Sequence, residues 1–248
     1  MLNRLIKMLM RKKSAFELGI SFDRSANFQL PSSIRIDGKI RPLQLPKEHG
    51  VKIAFIELLL DDCYGCKQLK RNNEEINTVV DIGGNVGLFG IAARNAFPKA
   101  TIHCYEPNPA LEAYLVAQAS AANFAYYPEA VGASNGFISL SISPESVLTR
   151  SIKNEGGGIT KTSFETVIQR IGGHIDFLKM DCEGAEWDIF NDQINWKYVN
   201  FLALEYHLFE QWQTEDYLKN KIKCLGFKIK KFMPFENYGI LFASRSSF

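Results

Sequence analysis

The sequence predicts an α/β fold: a mostly parallel sheet with helices on both faces, closing on an antiparallel strand pair. Three observations predict it. From Thr78 onward, short apolar runs such as TVVDI (78–82), IDFLKM (175–180) and NFLALEY (200–206) alternate with helical stretches. Repeated β-α units bury both faces of a sheet only when the strands run parallel. Charged residues gather just after those runs, where ligands sit in such sheets. The tail carries two strand-like runs, FKIKKF (227–232) and YGILFAS (238–244), close enough to pair antiparallel.

Taken in order, residues 1–13 carry Arg4, Lys7, Arg11, Lys12 and Lys13 and no acid, with Leu2, Leu5, Ile6, Leu9 and Met10 at helical spacing. This is a short basic amphipathic helix, suited to a membrane surface, to a partner, or to packing on its own domain. Residues 33–45 predict a hairpin turned by Asp37-Gly38, and residues 52–60 a helix. The polar stretch 67–77 links to the main domain. TVVDI is a buried strand, followed by a glycine-rich turn and a helix that ends before Pro98. TIHCYE (101–106) is the next strand and 109–122 the next helix. FAYYPEAVG (124–132) and FISLSIS (137–143) are further strand candidates. KTSFETVIQR (161–170) reads as a Ser/Thr-capped helix. Helices are expected around 186–194 and near 214–224. The division expected is an N-terminal appendage over 1–75 and a main domain over 76–248.

The chain has 248 residues, 46% hydrophobic and 23% charged, with a net charge of +2. That excludes a mainly disordered chain and gives no global field favouring nucleic acid. No apolar run reaches the roughly 18 residues of a membrane-spanning helix. The five cysteines, an odd number, suit a reducing compartment, so a cytoplasmic location is expected, with peripheral contact at the inner face of a membrane left open. Cys63-x-x-Cys66 has no second ligand pair to complete a zinc site.

The sharpest motif is VVDIGGNVG (79–87) followed by HCYEPNP (103–109). Gly83, Gly84 and Gly87 let the backbone turn tightly and approach a ligand. Glu106 ends the next strand about 20 residues on, where a carboxylate can accept from two ribose hydroxyls. A dinucleotide site wants G-x-G-x-x-G, and no G-x-G occurs. Asp81 at the strand tip would repel a pyrophosphate, whereas it suits a cationic ligand such as S-adenosylmethionine (SAM).

A second stretch, DFLKMDCEGAEWDIF (176–190), places Lys179, Asp181 and Glu183 at a strand end, and LEYH (204–207) does the same on another strand. Together with DIGGNVG and YEPNP, these segments resemble the FkbM-type methyltransferase family over about residues 50–245. The resemblance implies a Rossmann-like class I methyltransferase sheet, SAM as cofactor, and methyl transfer to a hydroxyl of a sugar, glycolipid, polysaccharide or natural product. Gly84 stands where the family often has Ala, and FETVI (164–168) where it often has an L-D-x-L segment. The cofactor-contact set expected is Asp81, Gly83, Gly84, Asn85, Gly87, Glu106, Pro107, Asn108 and Ala130.

Methyl transfer to an alcohol calls for alignment of the acceptor oxygen and a base near its proton. Asp181, Glu183 and His207 are the candidates, with Lys179 on the same strand face as Asp181 and able to pair with it. No metal is expected, although Asp181, Glu183, Glu205 and His207 are ligand types a divalent ion accepts. Trp212, Tyr206 and Phe209 are candidates for an apolar wall over a sugar ring, while Trp187 and Trp196 read as core. A nucleotide- or NAD-using Rossmann enzyme and a silent SAM-binding module are the competing readings. Nucleic-acid methylation lacks a basic stripe and an N-P-P-Y element.

Overall fold

The computed structural model describes residues 2–141, 150–152 and 158–245. The N-terminal part contains α1 (Leu2–Glu17), a hairpin of β1 (Ser33–Ile36) and β2 (Lys39–Pro42), α2 (His49–Phe55) continuing into a π-helical turn at Ile56–Leu60, and α3 (Cys66–Arg71). Asp37 and Gly38 both take positive φ, 46° and 76°, which is the tight hairpin turn their sequence predicts.

The main body runs β3 (Thr78–Ile82), α4 (Leu88–Ala96), β4 (Thr101–Tyr105), α5 (Glu112–Ala122), β5 (Ala125–Tyr127), β6 (Ala130–Gly132), β7 (Gly136–Ser141), β8 (Arg150–Ile152) and β9 (Ile159–Ser163). It continues with α6 (Phe164–Arg170), β10 (Ile175–Met180), α7 (Glu186–Ile189), β11 (Val199–His207), α8 (Glu215–Cys224), β12 (Lys228–Pro234) and β13 (Tyr238–Ser244). The central sheet has seven strands in the order β12-β13-β11-β10-β3-β4-β5. From β5 to β11 neighbours are parallel; β13 runs antiparallel to β11 and β12 antiparallel to β13. The chain steps outward from β3 to β5 and then returns to the other side at β10. The β3/β10 boundary is therefore the switch point, beyond whose carboxyl ends a ligand cleft is expected.

The two faces of the sheet follow from the alternation of its residues. Val79, Ile102, Phe177 and Ala203 pack toward one layer, built with α4, α5 and the N-terminal elements. Val80, Leu178, Leu202 and Leu204 pack toward the other, built with α6, α8, Trp187 and Trp196. Ala15, Leu18, Ile34, Val51 and Phe55 belong to the first layer, so the N-terminal segment shares its core with the sheet. Among the described residues, no helix is long and apolar enough to cross a membrane.

Three local expectations change. The polar stretch 67–77, expected as a link, begins inside helix α3 (Cys66–Arg71). Residues 161–163, read as a helix cap, belong to strand β9, part of a second sheet ordered β6-β9-β7-β8. Ser163 still caps α6, accepting from the Thr166 N–H at 3.1 Å. The helix expected over 186–194 ends at Ile189. The Asp192 carboxylate accepts from the Ile194 and Asn195 N–H groups, a local turn that competes with further helix. Residues 142 and 143 of the expected strand 137–143, and Met1 of the basic helix, lie outside the described residues.

Candidate functional site

A cleft of about 1280 Å³ opens over the carboxyl ends of the central strands. One end is the turn after β3. Gly83 adopts φ 80°, and a Cβ there would lie 1.7 Å from the Asp181 carbonyl oxygen, so only glycine fits. Gly84 faces the Cys104 side chain, whose Sγ lies 2.1 Å from where a Cβ would stand. Cys104 thus occupies the space that an alanine at position 84 would need. The Asn85 N–H donates to Glu106 Oε2 at 2.9 Å and the Asn108 N–H to Glu106 Oε1 at 2.9 Å. These bonds fix the carboxylate while leaving each oxygen a second lone pair. Burial pushes the Glu106 carboxyl up to about 7, partly offset by those two N–H groups.

Gly83, Gly84, Asn85, Glu106, Pro107 and Ala130 line the cleft. Asp81, Gly87 and Asn108 do not. Asp81 is fully buried and lies 3.0 Å from the Lys179 ammonium, its cross-strand partner in the β3/β10 register. Its charge is therefore met within the protein, and the expectation that it faces a cationic ligand directly gives way. Gly87, at φ 80°, turns the chain into α4, and Asn108 caps the turn at Pro109–Leu111.

The other end of the cleft is acidic. Lys179 lies beneath it, 3% exposed, donating to the Gly83 carbonyl at 2.6 Å. Its nearest carboxylate is Asp81; Asp181 stands at 3.9 Å, so the pairing expected between Lys179 and Asp181 is secondary. Burial pulls the Lys179 ammonium down, but Asp81 and Asp181 outweigh it and hold the group charged. Tyr64, from the N-terminal segment, places its hydroxyl 3.0 Å from Asp181 Oδ2 and 2.8 Å from Glu205 Oε2. One phenolic hydrogen serves both carboxylates. Burial and the charge of Asp181 push the Glu205 carboxyl well above the usual carboxylate range.

His207 sits beside this pair, its Nε2 3.5 Å from Glu183 and 3.9 Å from Glu205. Its other nitrogen lies 3.3 Å from the fully buried Glu186, which also accepts from the His207 backbone N–H at 2.8 Å. Burial pulls the imidazole down, but Glu186, Glu183 and Asp181 outweigh it and carry it up to about 9. His207 is thus a cation at neutral pH. Glu183 adopts φ 51° and Gly184 φ 99°, a left-handed pair that is costly at the glutamate. Asp181, Glu205 and His207 offer ligand atoms within 4.8 Å of one another, a spacing a divalent ion can bridge.

All four residues expected on the acceptor side, Lys179, Asp181, Glu183 and His207, line the cleft. Tyr64 and Glu186 escaped that role in the sequence. Tyr64 lies 117 residues from Asp181, and Glu186 meets His207 across 21 residues. Phe209, Trp212, Phe235 and Tyr238 line the cleft with large exposed faces, while Trp196 and Tyr206 are fully buried.

SAM fits the first end of the cleft. Asn85 Oδ1 is buried there without a hydrogen-bond partner, and the Glu106 oxygens are held open toward the cavity. Both are acceptors, matching the hydroxyl and amino donors of that cofactor.

The methyltransferase sdnD of Sordaria araneosa is 25% identical over 207 aligned residues, covering 62% of this chain and 74% of its own. Among solved structures, the SAM-bound magnesium protoporphyrin IX methyltransferase of Synechocystis PCC 6803 covers 82% of this chain and 87% of its own at 14% identity and a TM-score of 0.48. The ribosomal protein L11 methylase of Lactobacillus delbrueckii subsp. bulgaricus covers 83% and 82% at 12% identity and a TM-score of 0.44. The profile described as the methyltransferase FkbM domain matches residues 81–229, well over half of the chain and both ends of the cleft, and the chain belongs to that family.

Proposed function

We propose that this SAM-dependent methyltransferase moves its methyl group to a hydroxyl oxygen, on a sugar-containing or polyketide-type acceptor, and works in the cytoplasm. The observation that carries the reading is the convergence of Asp181, Glu205 and Tyr64 opposite the cofactor turn in one cleft. SAM supplies an electrophilic methyl group when bound. Glu106 and Asn85 would hold its donors, and Gly83 and Gly84 keep the backbone close.

An alcohol needs its proton taken as the bond forms. Asp181 is the residue we assign to that proton, because its carboxylate lines the cleft between the two ends. Glu205, held partly protonated by burial and by Asp181, shares the proton through Tyr64. His207, a cation held by Glu186, keeps Glu183 and Glu205 from repelling one another. Exposed faces of Phe209, Trp212 and Tyr238 beside carboxylates suit a polyhydroxylated ring, which presents C–H groups to the aromatic and hydroxyls to the acids.

The test is transfer of labelled methyl from SAM to a panel of sugars, polyketides, amines and carboxylic acids. Labelled methyl ethers from the hydroxyl compounds support the reading. Transfer to amines alone, or calorimetry showing NAD binding and no SAM binding, overturns it.

A further inference from the structure

Helix α1 turns its apolar side away from the protein. Ser14, Ala15 and Leu18 face inward, and Ser14 donates to the Leu60 carbonyl at 3.0 Å. Arg11 grips Asp61 with two N–H groups, and Lys7 lies 3.2 Å from the same carboxylate. At 100° per residue, Leu5, Leu9 and Phe16 fall within one narrow stripe on the opposite side. They are 49%, 56% and 80% exposed, with exposed Ile6 and Met10 beside them.

The hairpin extends this patch. Arg35 donates to the Phe16 and Glu17 carbonyls, holding β1 and β2 against the end of α1, and Ile40 stands exposed next to Gly19. The surround is basic. Arg4, Lys7, Arg11 and Arg24 line a shallow hollow of about 240 Å³ with Met8, Phe22 and Ser25. Lys12 and Lys13 flank the stripe, their partners Asp23 and Glu17 being surface pairs at 3.5 and 4.0 Å.

We propose that α1 and the β1-β2 hairpin dock on an anionic lipid surface. Leu5, Leu9, Phe16 and Ile40 enter the acyl boundary, and Arg4, Lys12, Lys13 and Arg24 meet headgroup phosphates. Charge decides the occupant. A second copy laid against this stripe would bring its flanking Lys12 and Lys13, held only by surface pairs to Asp23 and Glu17, against the same cations of the first. Lys7 borders both the basic hollow and the main cleft.

The experiment is co-flotation of the full chain with phosphatidylcholine vesicles, with and without phosphatidylglycerol. Binding is expected only with phosphatidylglycerol, and added salt should weaken it. The double variant Leu9→Gln/Phe16→Gln and the triple variant Arg4→Gln/Lys12→Gln/Lys13→Gln should each lose about tenfold or more in partitioning. SAM affinity, measured by calorimetry, should be unchanged in both, which shows that the variants fold. No flotation of the parent chain, or equal flotation of the variants, overturns the proposal. So does light scattering that shows a dimer of the parent, lost in Leu9→Gln/Phe16→Gln, without vesicle binding. So does capture on an acidic polypeptide in place of vesicles. These outcomes are independent of whether the chain methylates a hydroxyl.

Discussion

Replacing Lys179 by Met separates a structural role for that residue from a chemical one. The ammonium is 3% exposed and lies 3.0 Å from Asp81, itself fully buried, and 2.6 Å from the Gly83 carbonyl. Removing it leaves a carboxylate in the core with no cation beside it. Breaking a buried pair from one side costs about 3–5 kcal/mol. At roughly 2–4 °C per kcal/mol for a chain of this size, the melting temperature should drop by about 6–20 °C. The Asp81 carboxyl, which burial already pushes up, should then hold its proton at neutral pH. Calorimetry and urea unfolding measure the loss. Lys179→Met/Asp81→Leu removes both charges and should regain most of it, because two apolar groups need no partner. A single variant that loses less than about 1 kcal/mol, or a double variant no better than the single, refutes the pairing argument.

Other outcomes follow from the same geometry. Glu106→Gln should weaken SAM binding by about 1.5–3 kcal/mol, the scale of hydrogen bonds to a charged group, as calorimetry would show. Glu106 titrates near 7 and binding draws on its ionised form, so parent SAM affinity should be full at alkaline pH and fall by up to about tenfold per unit below pH 7; a flat profile in the parent removes Glu106 from the ribose. Asp181→Asn should cut turnover by about 100-fold or more with little change in SAM affinity, and near-parental turnover would send the search for the base elsewhere. Chelator treatment should leave activity intact; inactivation with rescue by a divalent ion would make Asp181, Glu205 and His207 ligands. Gly84→Ala should destabilise by about 1–3 kcal/mol through collision with Cys104, and Cys104→Ala should relieve it, read by urea unfolding.

The central strands and the cofactor turn were legible because their signals are local. TVVDI, IDFLKM and NFLALEY are apolar runs bounded by turns, and each became a strand within a residue or two of its expected limits. DIGGNVG and EPNP lie close in sequence, and the β3/β4 pairing brings them together. Strand β9 was missed because ITKTS has little apolar character, and its pairing with β6 and β7 depends on distant partners. The ion pair of Lys179 went first to Asp181 because alternation along one strand is visible in sequence. Cross-strand register is not, and register puts Lys179 opposite Asp81. Likewise, no sequence signal tells that His207 meets Glu186, which helps carry its imidazole up to about 9.

The hydroxyl of Tyr64 reaches the acceptor end from a stretch that precedes the matched methyltransferase region. Tyr64 therefore joins the two acids only while the N-terminal segment stays packed on the first layer of the sheet, whose core Ala15, Leu18, Val51 and Phe55 share. A crossover upstream of β3 would cut through that shared core as well as exchange residue 64. For an engineer, substitution at residue 64 itself is accordingly the smaller step, with Asp181 and Glu205 kept as the fixed socket into which any new residue 64 must fit.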